Sequence, residues 1–192
     1  MPTHPTRWLD LLLQGNILKT TPRTGWHLRW VTDPETVAAH SWGTAMVALV
    51  LAEMSDVALD RGRLLSMAIL HDLAETEISD IPRTASQFLP EGAKASGEEA
   101  ALAAILEDLP LVDRWRDLLD DYKHERSPEA RLVRDADRLE FLLQAFVYRE
   151  TRGNRRLEEV RRAYAGRQFA TPAAQLLAAA VLERWETGDR QP

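Results

Sequence analysis

Residues 127–150, SPEARLVRDADRLEFLLQAFVYRE, decide the fold class. Ser127 supplies a capping hydroxyl, Pro128 suits a first helical turn, and Glu129 sits where the helix dipole favours a negative charge. Apolar residues then recur at helical spacing. Val133 lies four before Asp137 and Phe141 four after it, and the pattern runs on toward Glu150. This predicts one long helix. The same period extends outward in both directions. Toward the C-terminus, Asn154 to Tyr164 reads as a helix, and Thr171-Pro172 opens a last one through Trp185. Upstream, Val112, Trp115, Leu118, Leu119 and Tyr122 share a face, and Lys94 to Leu109 forms an Ala/Glu-rich helix ended by Pro110. A helix after Gly62 carries Leu65, Ala68, Ile69 and Asp72 and runs to the break at Ser79-Asp80-Ile81-Pro82. Another is expected to open at Thr32-Asp33-Pro34-Glu35, with Thr32 as cap and Glu35 completing a capping box. Its inward face is Val37, His40, Thr44, Val47 and Leu51. Lys19 to Val31, with Pro22 and Gly25, reads as a loop, and Leu9, Leu12, Leu13 and Ile17 mark a first helix. Strand-like alternation is nearly absent. The expectation is an all-α single helical bundle of roughly eight helices, each burying an apolar stripe. One domain is expected over residues 1–192, with its core at about 9–185.

Composition narrows the function classes. The 192 residues include no cysteine, which excludes a disulfide scaffold, a thiol nucleophile, a zinc ribbon and an iron–sulfur cluster, and fits a cytoplasmic protein. No apolar run approaches the roughly 20 residues of a membrane span. The N-terminal MPTHPTRWLDLLLQGN has no secretory pattern. A net charge of −6 and a pI near 5.4 argue against nucleic acid as a partner. A small anionic substrate remains compatible, because a pocket can be positive on an acidic protein.

Polar residues on apolar faces carry the functional signal. His40 lies among VAAHSWGTAMVALVLAE, His71-Asp72 follows the apolar run of LLSMAILHDLAETE, and Asp137 lies within LVRDADRLEFLLQAF. An unpaired buried carboxylate costs several kcal/mol. Two carboxylates and two imidazoles on three helices are resolved by one divalent cation; N and O donors suit zinc, manganese, cobalt or iron(II). Glu75, four residues past His71, and Asp80 flank the same place and can handle protons. Asp137 also has Arg134 and Arg138 within reach, so a structural ion pair is the competing explanation.

The order His40, His71-Asp72, Asp137 resembles the H…HD…D signature of the HD-domain metal-dependent phosphohydrolases. The surrounding words are similar to those of their 5′-deoxynucleotidase family: Pro22-Arg23-Thr24-Gly25-Trp26, Pro34-Glu35-Thr36-Val37, His71-Asp72-Leu73-Ala74-Glu75, Ser79-Asp80-Ile81-Pro82, Ser127-Pro128-Glu129-Ala130, and Asp137 with Glu140, Leu143-Gln144-Ala145 and Tyr148. The resemblance implies hydrolysis of deoxynucleoside 5′-monophosphates to nucleoside and phosphate. It implies one divalent ion (Mn, Co, Zn, Fe or Mg) on His40, His71, Asp72 and Asp137. Glu75 and Asp80 match its acidic catalytic positions, Arg23 a phosphate-contacting arginine, and Trp26 a sugar-facing tryptophan. Relatives place that tryptophan directly after the arginine, whereas Thr24 and Gly25 intervene here. A homodimer is also implied.

Other readings stay open on the residues alone. Arg29 is a second cation in the loop and can replace Arg23 as the clamp. The five histidines include only His124 between the HD pair and Asp137, which favours a single-metal site over a dinuclear one. Arg152, Arg155, Arg156, Arg161 and Arg162, interleaved with Glu158 and Glu159, read as a solvated helix face. The alternatives are an HD phosphohydrolase of another nucleotide or phosphorylated metabolite, and a non-catalytic helical binding protein with a structural metal.

Overall fold

A computed structural model describes residues 5–188. His4 and the outermost residues of the expected 1–192 domain lie outside that range. The described residues are helical throughout apart from turns and one isolated bridge. The longer helices are α1 (Pro5–Asn16), α3 (Val37–Glu53), α4 (Arg61–Leu70), α7 (Ala93–Ile105), α8 (Val112–His124), α9 (Pro128–Arg152), α10 (Glu158–Ala165) and α11 (Pro172–Thr187). Short helices α2 (Thr24–His27), α5 (Glu75–Ile78) and α6 (Arg83–Ser86) interrupt the connections.

The expected long helix is α9, and it forms the centre of the bundle. Ser127 accepts from Ala130 N–H at 3.0 Å, as its cap reading requires. Helices α3, α4, α8 and α11 pack on it. Leu132, Val133, Ala136, Leu139, Leu142 and Ala145 bury its core face. The buried Asp135 carboxylate accepts from Ala170 N–H, Thr171 N–H and the Thr171 hydroxyl at 2.7–3.1 Å, which ties α9 to the start of α11.

Three local expectations are corrected. First, α3 opens at Val37 rather than within residues 32–35. Its cap is Thr36, which accepts from Ala39 N–H at 3.2 Å. Asp33 has φ 50°, outside helical space, and residues 35–37 instead pair with 21–23. Arg23 N–H donates to Glu35 O at 3.0 Å, and Val37 N–H to Thr21 O at 2.8 Å. This pairing lays Arg23 beside the start of α3. Second, α4 ends at Leu70, and its buried face is Leu64, Met67 and Ala68, leaving Ile69 exposed. Tight three-residue turns follow, with Leu73 N–H donating to Leu70 O and Glu75 N–H to Asp72 O. Third, the stripe of α1 does not meet the core. Leu9, Leu12, Leu13 and Ile17 are exposed and only Leu11 is buried. Spacing defines a face of a helix but not what lies against it.

Candidate metal centre

A cleft of about 1410 Å³ opens beside α9, α8 and the turn that follows α4. His40 enters from α3, where it is fully buried; His71 and Asp72 come from the tight turn, and Asp137 from α9. Their donor atoms converge. His40 Nε2 lies 3.4 Å from His71 Nε2, 3.2 Å from Asp137 Oδ1 and 3.8 Å from Asp72 Oδ2. His71 Nε2 is 3.2 Å from Asp72 Oδ2. Around an ion with bonds of about 2.0–2.2 Å, neighbouring donors stand about 3.0–3.5 Å apart. The donors of His40, His71 and Asp72 all lie within 4.8 Å of one another, and Asp137 joins them through its 3.2 Å approach to His40 Nε2.

The tautomers point the same way. His71 Nδ1 donates to Ala68 O at 2.9 Å, and His40 Nδ1 faces Glu140 Oε2 at 2.5 Å. With both Nδ1 atoms committed to acceptors, both Nε2 atoms present lone pairs to each other and to the carboxylates. Neither Nε2 atom then has a proton to give the other or the carboxylate oxygens beside it, so a cation between them is favoured. Without a metal a proton fills that need. Burial and the Arg23 charge oppose protonation of His40, but Asp137 and Glu140 outweigh them and lift its pKa to about 10. The donor set fits one divalent ion of the nitrogen- and oxygen-loving kind.

Around this cluster stand the other residues that the sequence singled out. Arg23 Nη1 lies 3.3 Å from Asp72 Oδ2. Burial works against its charge, yet Asp72, Asp137, Asp80 and Glu75 together raise its pKa, so its guanidinium stays charged. Glu75 opens α5, and its Oε2 is buried with no hydrogen-bond partner. Burial, then the charges of Asp72 and Asp80, push its carboxyl up to about 9. Asp80 lines the same cleft. Arg29 also borders it, but pairs with Glu159 at 3.0 Å and donates to Gly25 O. Trp26 is fully buried. Its indole stacks on Phe141 at 4.3 Å, and its N–H donates to Glu35 Oε1 at 2.8 Å, so it borders the cleft only with its ring. Burial, and then Glu140, raise the Glu35 carboxyl to about 7. His124 pairs with Asp120 on the surface, away from the cluster.

The structure also reveals partners that sequence reasoning had given other roles. Glu35, read as a capping residue, turns inward to Trp26, and its N–H donates to Tyr148 Oη at 2.7 Å. Arg134 donates to Tyr122 Oη at 3.0 Å and lies 4.1 Å over that ring. Tyr122 in turn donates to Asp137 Oδ2 at 3.3 Å. For Arg134 the signal was its helical spacing, three residues before Asp137.

Known proteins resemble the chain in sequence and in fold. A family model described as HD domain matches residues 15–176. The chain is 35% identical over 138 residues to 5′-deoxynucleotidase HDDC2 of Danio rerio, covering 71% of this chain and 66% of that one. It is 32% identical over 170 residues to 5′-deoxynucleotidase HDDC2 of Xenopus laevis, covering 87% and 82%. The crystal structure of PH0347 protein from Pyrococcus horikoshii OT3 superposes with a TM-score of 0.76 at 34% identity, covering 91% of this chain and 98% of that one.

Proposed function

The chain belongs to the HD domain family, and from that premise we propose that it is a metal-dependent phosphomonoesterase that hydrolyses deoxynucleoside 5′-monophosphates to nucleoside and phosphate. The relatives named 5′-deoxynucleotidase support the substrate class. The observation that carries the chemistry is the meeting of two imidazole Nε2 atoms at 3.4 Å with the Asp72 and Asp137 carboxylates, beside a charged arginine. In this reading His40, His71, Asp72 and Asp137 hold one divalent ion and the whole chain is a single domain.

When bound, such an ion polarises the phosphoryl group and makes water a stronger acid. The chain's own residues do the rest. Arg23 holds non-bridging phosphate oxygens, for which its planar fork of donors is suited. Hydrolysis breaks the bond from phosphorus to the 5′-oxygen and forms one from phosphorus to the oxygen of water. One proton leaves that water and one reaches the departing 5′-oxygen. In this reading Glu75, with a buried unpartnered oxygen, and Asp80, which lines the same cleft, serve those two positions. Trp26 stands behind the site and holds Glu35 through its N–H; its ring, stacked on Phe141, borders the space in which a sugar lies.

The reading includes a homodimer. Trp42, Met46 and Val50 follow each other at four-residue intervals along α3, Met54 continues the spacing at its C-terminal cap, and all are exposed. Residues at this spacing form a ridge inclined to the helix axis, and in this reading a second copy covers it about a two-fold axis. A nucleotide substrate goes with the cytoplasmic location expected from the sequence.

Phosphate release over ribo- and deoxyribonucleoside monophosphates, with manganese, cobalt, zinc and magnesium in turn, tests the proposal. Release that needs a divalent ion and favours the deoxy forms supports it. Equal release from unrelated phosphorylated metabolites assigns a different substrate, and no release under any ion contradicts an enzyme.

A further inference from the structure

Gly43 sits in the middle of α3, where a glycine costs about 0.5–1 kcal/mol relative to alanine. Its backbone is helical, so no turn requires it. The explanation lies across the helix interface. A Cβ at Gly43 would stand 2.9 Å from both Cγ and Oε1 of Glu140 and 3.2 Å from its Cδ. By contrast, Gly15 and Gly97, also within helices, have nothing within 4 Å. Gly43 is therefore a notch in α3 that admits one side chain, the carboxylate of Glu140.

That carboxylate has a defined target. Gly43 lies one turn beyond His40, so a side chain seated over it reaches back to the His40 ring. Glu140 lies one turn beyond Asp137 on α9. Consecutive turns of α9 thus hold the two nitrogens of a single imidazole: Asp137 Oδ1 at 3.2 Å from Nε2, and Glu140 Oε2 at 2.5 Å from Nδ1. His40 is fully buried and Glu140 nearly so.

We infer that Glu140, admitted by the missing side chain at Gly43, is the positioning residue that fixes the tautomer and plane of His40 for metal binding. The inference rests on the metal reading above. A carboxylate on the outer nitrogen of a ligating histidine orients the ring and strengthens it as a donor. The donors of Glu35, His40 and Glu140 also lie within 4.8 Å of one another, which offers a second cation site as the rival. That rival requires both nitrogens of His40 to ligate at once and the Trp26–Glu35 hydrogen bond to be shared.

The test uses the full chain, stripped of metal and titrated with cobalt(II) by calorimetry and by visible absorption, with thermal unfolding of the metal-free form in parallel. Glu140→Gln is expected to weaken cobalt binding about 10–100-fold, with the stoichiometry still one and the cobalt absorption band altered. Gly43→Ala is expected to weaken cobalt binding and lower the metal-free Tm. In a Glu140→Ala background the same Gly43→Ala change is expected to leave Tm unchanged or raise it, because the methyl then fills vacated space. Glu140→Gln binding cobalt as tightly as the parent, with the parent spectrum, overturns the positioning role. Gly43→Ala having the same effect on Tm in both backgrounds overturns the notch, and two ions per parent chain favour the rival. A parent chain that binds no cobalt overturns the metal reading itself and the positioning role with it.

Discussion

Replacing Glu75 by glutamine separates catalysis from stability at one position. Glu75 is 5% exposed, one carboxylate oxygen has no partner, and its pKa is pushed up to about 9, by burial first and then by Asp72 and Asp80. Glutamine keeps the shape and removes the ionisation. Positioned proton transfer contributes about 10²–10⁴-fold, so kcat falls by at least about 10²-fold while metal is retained. Stability moves the other way. The unfolded chain releases the Glu75 proton near its ordinary 4.5, whereas the folded, metal-free chain keeps it to about 9. Folded protein therefore binds the extra proton across that window, and stability is lost as pH rises through it. The loss is at most about 1.4 kcal/mol per pH unit. The glutamine variant lacks this loss. Its metal-free Tm gains on the parent between pH 5.5 and 8.5, by about 2–4 °C for each kcal/mol that the linkage delivers. Turnover of a deoxynucleoside monophosphate and unfolding followed by circular dichroism in chelator read the two effects. Unchanged turnover removes Glu75 from the chemistry, and a Tm difference that is flat with pH refutes the buried, proton-holding carboxyl.

Asp72→Ala removes a donor while leaving the helices intact; far-ultraviolet dichroism is expected to persist and bound metal to disappear, and a fully active, metal-loaded variant contradicts its role. Arg23→Gln is expected to lower kcat/KM about 10–100-fold, the worth of a hydrogen bond to a charged phosphate; an unchanged value transfers the clamp to Arg29. Met46→Glu places a charge in the exposed stripe of α3. Light scattering is expected to show a monomer, and a persistent dimer locates the interface elsewhere.

Much of the bundle was legible because burial follows the 3.6-residue period. Ser127 and the apolar spacing after it mark α9 from its cap onward, and Pro172 marks α11. What failed was local competition. Asp33 and Pro34 look like a helix start, but backbone pairing of residues 21–23 with 35–37 claims that segment first. The α4 register slipped because Ile69 is apolar yet exposed, while Leu64 and Met67 take the core. In the site, His40, His71, Asp72 and Asp137 stood out as polar groups on apolar faces. Pattern alone does not separate Asp137 from Asp135, two residues away and more deeply buried, whose partners Ala170 and Thr171 lie on a distant loop. Trp26 and Glu35 were legible as residues but not as a pair, since the hydrogen bond joining them depends on the fold of the loop.

The central claim is a single ion held by side chains from α3, from the turn after α4 and from α9. Crystals grown with cobalt(II), with anomalous data collected on both sides of the cobalt edge, test it most directly. The account predicts one anomalous peak per chain, within bonding distance of His40 Nε2, His71 Nε2 and the Asp72 and Asp137 carboxylates. A peak elsewhere, or none while those side chains keep their places, contradicts it.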